Sequence, residues 1–224
     1  RVTEGAILKA AMTPLAGPAR VPGGIKGSAS TVYLINHNTD NTLATFRFRL
    51  KDLKMFAAQE PFKTLEKEFR AGSFIIKTEG NPADLRTRLE QAAGELGLTI
   101  YAAAEAPKVA IHELAAPRVA LVHTWQNTQN EGWFRIALDR LNIPYSYISD
   151  HVLRDTPDLR SRYDVIIYGP TPGSSQRLVN GIPMRGEPIP WKKSDLTPNL
   201  GTSPDQTDDM RGGMGLQGLM NLGR

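Results

Sequence analysis

Residues 118–169 constrain the fold more than any other stretch. Arg118-Val119-Ala120-Leu121-Val122-His123-Thr124 is a short apolar run of the kind a buried strand needs. Thr128-Gln129-Asn130-Glu131 follows as a helix start with the spacing of a capping box. Trp133, Phe134, Ala137, Leu138 and Leu141 supply that helix with an apolar stripe, and Asn142 and Pro144 stop it. Tyr145–Ser149 and Asp164–Gly169 read as second and third strands, with a helical turn from Thr156-Pro157 between them. Strands joined by crossover segments pair in parallel. The stretch therefore predicts an α/β unit with a parallel, flavodoxin-like sheet flanked by helices.

A first α/β unit is expected over 31–115. Thr31–Asn36, Lys54–Gln59, Gly72–Lys77 and Leu98–Ala102 read as strands. Residues 42–53 fit both periods: Phe46, Phe48 and Leu50 alternate with Arg47 and Arg49, while Leu43, Phe46, Leu50 and Leu53 suit a helix. Asn41 or Thr42 is a competent cap, which favours the helix. Asn81-Pro82 predicts another helix start, with Leu85, Leu89, Ala92, Ala93 and Leu96 inward and Gly97 as a left-handed cap. Pro107 and Pro117 bracket a possible edge strand, Val109–Leu114.

The flanks are less regular. Residues 1–30 carry Pro14, Pro18 and Pro22 among several glycines and read as an extended arm or linker. The second unit, 116–224, contains a proline-rich stretch expected as a long loop over 170–210, then an apolar set, Leu216, Leu219, Met220 and Leu222, that suits a helix. A doubly wound unit needs a further strand after that helix, so this unit is expected to be incomplete at its C-terminus. The chain opens on Arg1, which suggests a processed product or a piece of a longer polypeptide.

Composition removes several function classes. The 224 residues include no cysteine, which excludes disulfides, thiolate metal sites and a cysteine nucleophile. The formal charge of +4 is spread among acids, as in Lys63–Arg70, rather than gathered on one face, so no nucleic-acid partner is expected. No apolar run reaches the roughly 20 residues of a membrane span, so no membrane partner is expected either.

Ligands of open parallel sheets bind beyond the carboxyl ends of the strands, where strand order reverses. With strand order 2-1-3 in the second unit, His123, Trp125, Asp150 and His151 converge there. Glu131 and Trp133 reach the same crevice from the first turns of the helix. These six residues form the candidate ligand-binding crevice. The plainer reading has His123 and Trp125 packing beneath the long loop. Metal binding has little support. His112-Glu113 are adjacent and point to opposite faces of a strand, and Asp205, Asp208 and Asp209 lack a calcium-loop pattern. Ser174 or Ser175, with His123, is the alternative catalytic set. Gly173-Ser174-Ser175-Gln176 follows a strand as a nucleophile elbow does, but lacks the glycine two residues after the serine.

The run Leu121–Trp133, together with Ile143-Pro144-Tyr145, Asp164-Val165-Ile166, Ile189-Pro190-Trp191-Lys192 and Ser203–Asp209, resembles a segment of large bacterial proteins of the zinc-carboxypeptidase (carboxypeptidase A-like) family. Leu34–Asn38 and Ala71–Ile76 resemble the same region, which lies after the peptidase domain and is similar to the class I glutamine amidotransferase-like fold. The resemblance covers about residues 30–224. It implies an exported parent hydrolase, periplasmic or extracellular, with zinc held in an upstream peptidase domain that would be this segment's partner. The zinc ligands and catalytic glutamate of that family have no counterpart here, and the amidotransferase cysteine is missing. The expected function is an accessory α/β region that binds a peptide or glycan, or docks on the catalytic domain, with no cofactor of its own. The rivals are a free-standing serine esterase or amidase and a plain protein-interaction module.

Overall fold

The structure is a computed structural model that describes residues 3–14, 16, 17, 19, 21–196, 198 and 206–224. Its elements, in chain order, begin with α1 (Gly5–Leu8), β1 (Gly24–Lys26), β2 (Val32–Ile35), α2 (Thr42–Arg49) and β3 (Phe56–Ala58). There follow β4 (Phe62–Thr64), β5 (Lys67–Phe69), β6 (Phe74–Lys77), α3 (Leu85–Leu96), β7 (Thr99–Ala103) and β8 (Ile111–Glu113). The last third holds β9 (Val119–His123), α4 (Gln129–Arg140), β10 (Tyr145–Ser149), α5 (Asp150–Asp155), β11 (Val165–Tyr168), α6 (Ser175–Asn180) and α7 (Gly215–Leu222). Two compact units result. One comprises residues up to Asn38 with Leu53–Glu113; the other comprises Thr39–Asp52 with Leu114 onward.

The first unit is α/β, but its sheet is not the parallel one expected. Six strands run β1-β7-β2-β6-β3-β8. Only β1 and β7 pair in parallel; β2–β7, β2–β6, β3–β6 and β3–β8 are antiparallel. Every residue of β2 is buried, as is most of β6. A strand covered on both faces shows a continuous apolar run whichever way its neighbours point, so that run carries no directional signal. Val32, Leu34, Ile75, Phe69 and Ala103 form the centre of this core. Gly97 caps α3 at φ 69°, as its position implied. Asn81 does not cap that helix, which starts at Leu85. Its amide is used in tying strand ends, accepting from the Lys54 N–H at 2.9 Å and donating to the Lys77 carbonyl at 2.7 Å.

In the second unit the three strands are parallel, in the order β10-β9-β11. The central strand β9 is buried along its whole length. Ala120, Val122, Ile148, Leu153, Leu159 and Met214 make the core. Arg118 joins the starts of β9 and β11: its backbone N–H and guanidinium both donate to Asp164, at 2.7 and 2.9 Å. Helix α2 belongs to this unit. Thr45 Oγ1 donates to the Leu141 carbonyl at 2.7 Å. Arg47 is buried, and its guanidinium donates to the Leu114 and Leu50 carbonyls.

Local features depart from expectation at three places. Helix α5 begins immediately after β10, so Asp150 and His151 stand on a helix rather than at a strand end. The stretch expected as loop contains α6 and an arm that doubles back on itself. In that arm Trp191 and Thr207 exchange backbone hydrogen bonds at 2.8 and 3.0 Å, and the Gly212 N–H donates to the Ile182 carbonyl at 2.7 Å. The third concerns α4. Its residues Trp133, Phe134 and Ile136 are exposed, and its buried residue is Glu131. Of the stripe expected to face the core, Trp133, Phe134 and Ala137 are exposed, while Leu138 and Leu141 are half-buried.

Candidate functional site

A cavity of about 450 Å³ opens beyond the carboxyl ends of β9 and β10. His123, the last residue of β9, and Tyr147 of β10 form its floor, and Trp125 lies beside them. Glu131, Gly132 and Arg135 contribute the α4 side, and Trp191 and Met210 reach over from the arm. The register explains the floor. Ser149 pairs with His123, so Tyr147 is the diagonal neighbour two residues back on the same face. The rings stack, with centroids 4.5 Å apart and planes 20° from parallel. Trp125 meets His123 edge-on at 4.7 Å.

Glu131 and Arg135 are the two ionisable side chains that α4 brings to the cavity. The expected capping box does not form: Thr128 makes no side-chain cap bond. The Glu131 side chain turns inward instead and accepts from the Tyr147 hydroxyl through Oε1. The residue is only 5% exposed. At Gly169, just after β11, a side chain's Cβ would come within 3.3 Å of the Glu131 Cβ, and Asn130 Nδ2 donates to the Pro170 carbonyl at 2.7 Å, which fixes this turn of the helix. Arg135 lies one turn on, with its guanidinium 4.4 Å from the Tyr147 ring centroid. Burial and the Glu131 carboxylate together push the Tyr147 hydroxyl well above the usual phenol range.

Among the described residues, several buried polar atoms in and behind the cavity wall have no hydrogen-bond partner: Glu131 Oε2, Trp125 Nε1, Arg135 Nε, Asp150 Oδ1 and the Tyr168 hydroxyl. An orphaned buried group costs about 1–3 kcal/mol. Such groups concentrate at sites built for something else to complete. Asp150, at the first position of α5, is pushed up to about 6 by burial, opposed by the charges of His151 and His123. Burial and the Asp150 charge raise the nearby Tyr168 hydroxyl to about 12.

The expected crevice residues separate into three groups. His123, Trp125 and Glu131 line the cavity. Asp150 and His151 sit behind it, with His151 6.0 Å from the Trp125 ring and its Nε2 donating to the Gly212 carbonyl at 3.2 Å. Trp133 does not line it and is 65% exposed, because α4 presents that side to solvent. Ser174 caps α6, its Oγ accepting from the Arg177 N–H at 3.2 Å, and Ser175 opens the helix. Among the described residues neither serine bonds a histidine. Asp208 pairs with Lys192 and Asp209 with Arg211, and Asp205 lies outside the described residues. Among the described residues no group of three or more His, Asp or Glu side chains could hold a metal ion, and no helix is long and apolar enough to cross a membrane.

Sequence reasoning missed Tyr147, Arg135 and Met210. Two signals were present. Glu131, Arg135 and Leu138 follow an i, i+4, i+7 spacing that competes with the apolar stripe, and Tyr147 precedes by two the strand residue opposite His123. No family model matches the chain, and neither a curated protein nor a solved structure matches it.

Proposed function

We propose that the second unit is a ligand-binding accessory domain of a zinc-carboxypeptidase-like hydrolase, taking a peptide or glycan in the cavity beyond β9 and β10. The observation that carries this reading is the inward turn of Glu131, which places an incompletely paired carboxylate on an aromatic-walled cavity. The 2-1-3 strand order supports an amidotransferase-like relation for this unit, with its crevice at the switch point. Docking on a peptidase domain is supported by exposed apolar side chains, Trp133 and Phe134 on α4 and Leu216 and Met220 on α7.

The resemblance to zinc carboxypeptidases supplies the parent activity, and the chain's own residues supply binding and orientation. The serine-hydrolase rival gains no support, since Ser174 Oγ is engaged in capping α6. The test is saturation-transfer NMR on the purified chain with mixed oligopeptides and mixed oligosaccharides. Transfer to at least one mixture, lost in Glu131→Gln, is expected; no transfer to either sinks the binding reading. The full open reading frame tests the parentage, which requires a peptidase domain upstream.

A further inference from the structure

We infer, on the crevice reading above, that the ligand is a neutral oligosaccharide with flat, all-equatorial rings laid across Trp125. Trp125 forms a wall of two cavities at once. The second measures about 470 Å³ and is bounded by Gln126, Arg177, Gly181, Ile182 and Pro183. Both volumes lie within the roughly 300–1,000 Å³ of small-molecule sites. A ligand seated on Trp125 has both cavities within reach, which favours a chain of rings over a single compact molecule. Beyond Trp125, Arg177 Nε donates to Gln126 Oε1 at 2.7 Å and Gln126 Nε2 donates to the Arg177 carbonyl at 3.1 Å, so that wall is preorganised.

Among the described residues, the orphaned atoms of the residues lining the first cavity are themselves buried and of mixed kind. Glu131 Oε2 accepts, whereas Trp125 Nε1 and Arg135 Nε donate. A cation would satisfy only the first and an anion only the other two. Hydroxyl groups both donate and accept, so a polyol matches such a mixed lining better than a simple ion does. The carboxylate torsion of Glu131 is soft, which lets Oε2 turn to a ligand without moving the helix. Trp125, Trp191 and Tyr147 add aromatic faces, and the C–H faces of all-equatorial rings are the apolar surfaces such walls cover. A peptide suits the site less well. One common mode of peptide binding, backbone pairing along a sheet edge, is not offered by a crevice at strand ends under side chains.

The test titrates the full chain with cellotetraose, chitotetraose and tetra-alanine while recording tryptophan fluorescence. A saturable change with at least one sugar and none with tetra-alanine is expected. Glu131→Gln and Trp191→Ala should each weaken the sugar by about tenfold or more. Trp191 is 39% exposed, so its removal spares the core, and it alone decides if Glu131→Gln loses its native circular dichroism. Response to tetra-alanine alone overturns the sugar assignment and leaves the binding reading standing. No response to any of the three overturns both. Sugar binding unchanged in the variants places the ligand elsewhere and also overturns the inference.

Discussion

The Tyr147 hydroxyl donates to Glu131 Oε1, joining the middle of β10 to the first turn of α4. The contact turns Glu131 to the inner face of the helix and adds to burial in raising the Tyr147 hydroxyl. The opposite carboxylate oxygen stays unpaired, so the arrangement is costly in the empty site and rewards a ligand that completes it.

Tyr147→Phe retains the ring stacked on His123 and removes the donor. Glu131 is then buried with neither oxygen paired. The expected loss is about 1–3 kcal/mol in urea denaturation. An unchanged midpoint would show that the carboxylate is satisfied without the phenol.

Asp150→Asn should stabilise the protein in a pH-dependent way. The folded state holds the Asp150 proton up to about pH 6, against an ordinary value of 3.8, because burial outweighs the charges of His151, His123 and Arg154. A folded-state value raised above the unfolded one means stability is full below about pH 4 and lost as pH rises through about 6. The amide variant escapes that loss. Its gain, at most about 3 kcal/mol, should appear in melting temperatures at pH 7–8 and vanish near pH 4. An equal gain at both ends would mean that the carboxylate does not titrate in this window.

Gly181→Ala should dislodge the arm carrying Trp191. Gly181 adopts φ 66° and ψ −150°, a conformation that side chains rarely tolerate. A Cβ there would also overlap the Gly212 carbonyl backbone. A loss of about 3 kcal/mol or more is expected by thermal denaturation, together with a red shift of tryptophan emission. A variant as stable as the parent would show that the Ile182–Gly212 pairing is not formed.

Ser174→Ala separates capping from catalysis. Loss of the bond to the Arg177 N–H should cost about 1 kcal/mol. Neither the parent nor the variant should hydrolyse p-nitrophenyl acetate above background. Hydrolysis by the parent that disappears in the variant would restore the serine-hydrolase reading.

The legible part of the fold is where local rules and tertiary packing agree. Val119–His123 is apolar, short and followed by a crossover, and it became the middle strand of a parallel sheet. The illegible part is where two local rules compete. Glu131 satisfies the spacing of a capping box, yet the Tyr147 hydroxyl offers it a buried partner, and the buried bond prevails. Asn81 satisfies the pattern of a helix cap, yet the carbonyls of Lys54 and Lys77 claim its amide. Phe46 and Arg47 looked like opposite faces of an element, but both are buried, because backbone carbonyls disperse the guanidinium charge. Of the expected site residues, His123 and Trp125 at the end of β9 and Glu131 on α4 line the cavity, whereas Asp150 and His151 do not. The error at Trp133 follows from taking the greasier side of α4 as its inner side.

That inversion bears on how α4 is fastened. A helix that keeps its indole, phenyl and sec-butyl groups in water forgoes the non-directional adhesion that holds most helices to a sheet. It is moored by a few oriented bonds, which release together rather than yielding gradually. Amide protons along Gly132–Arg140 should therefore exchange through an opening cheaper than unfolding of β9, and an occupant bridging Glu131 to the strands would slow that exchange first.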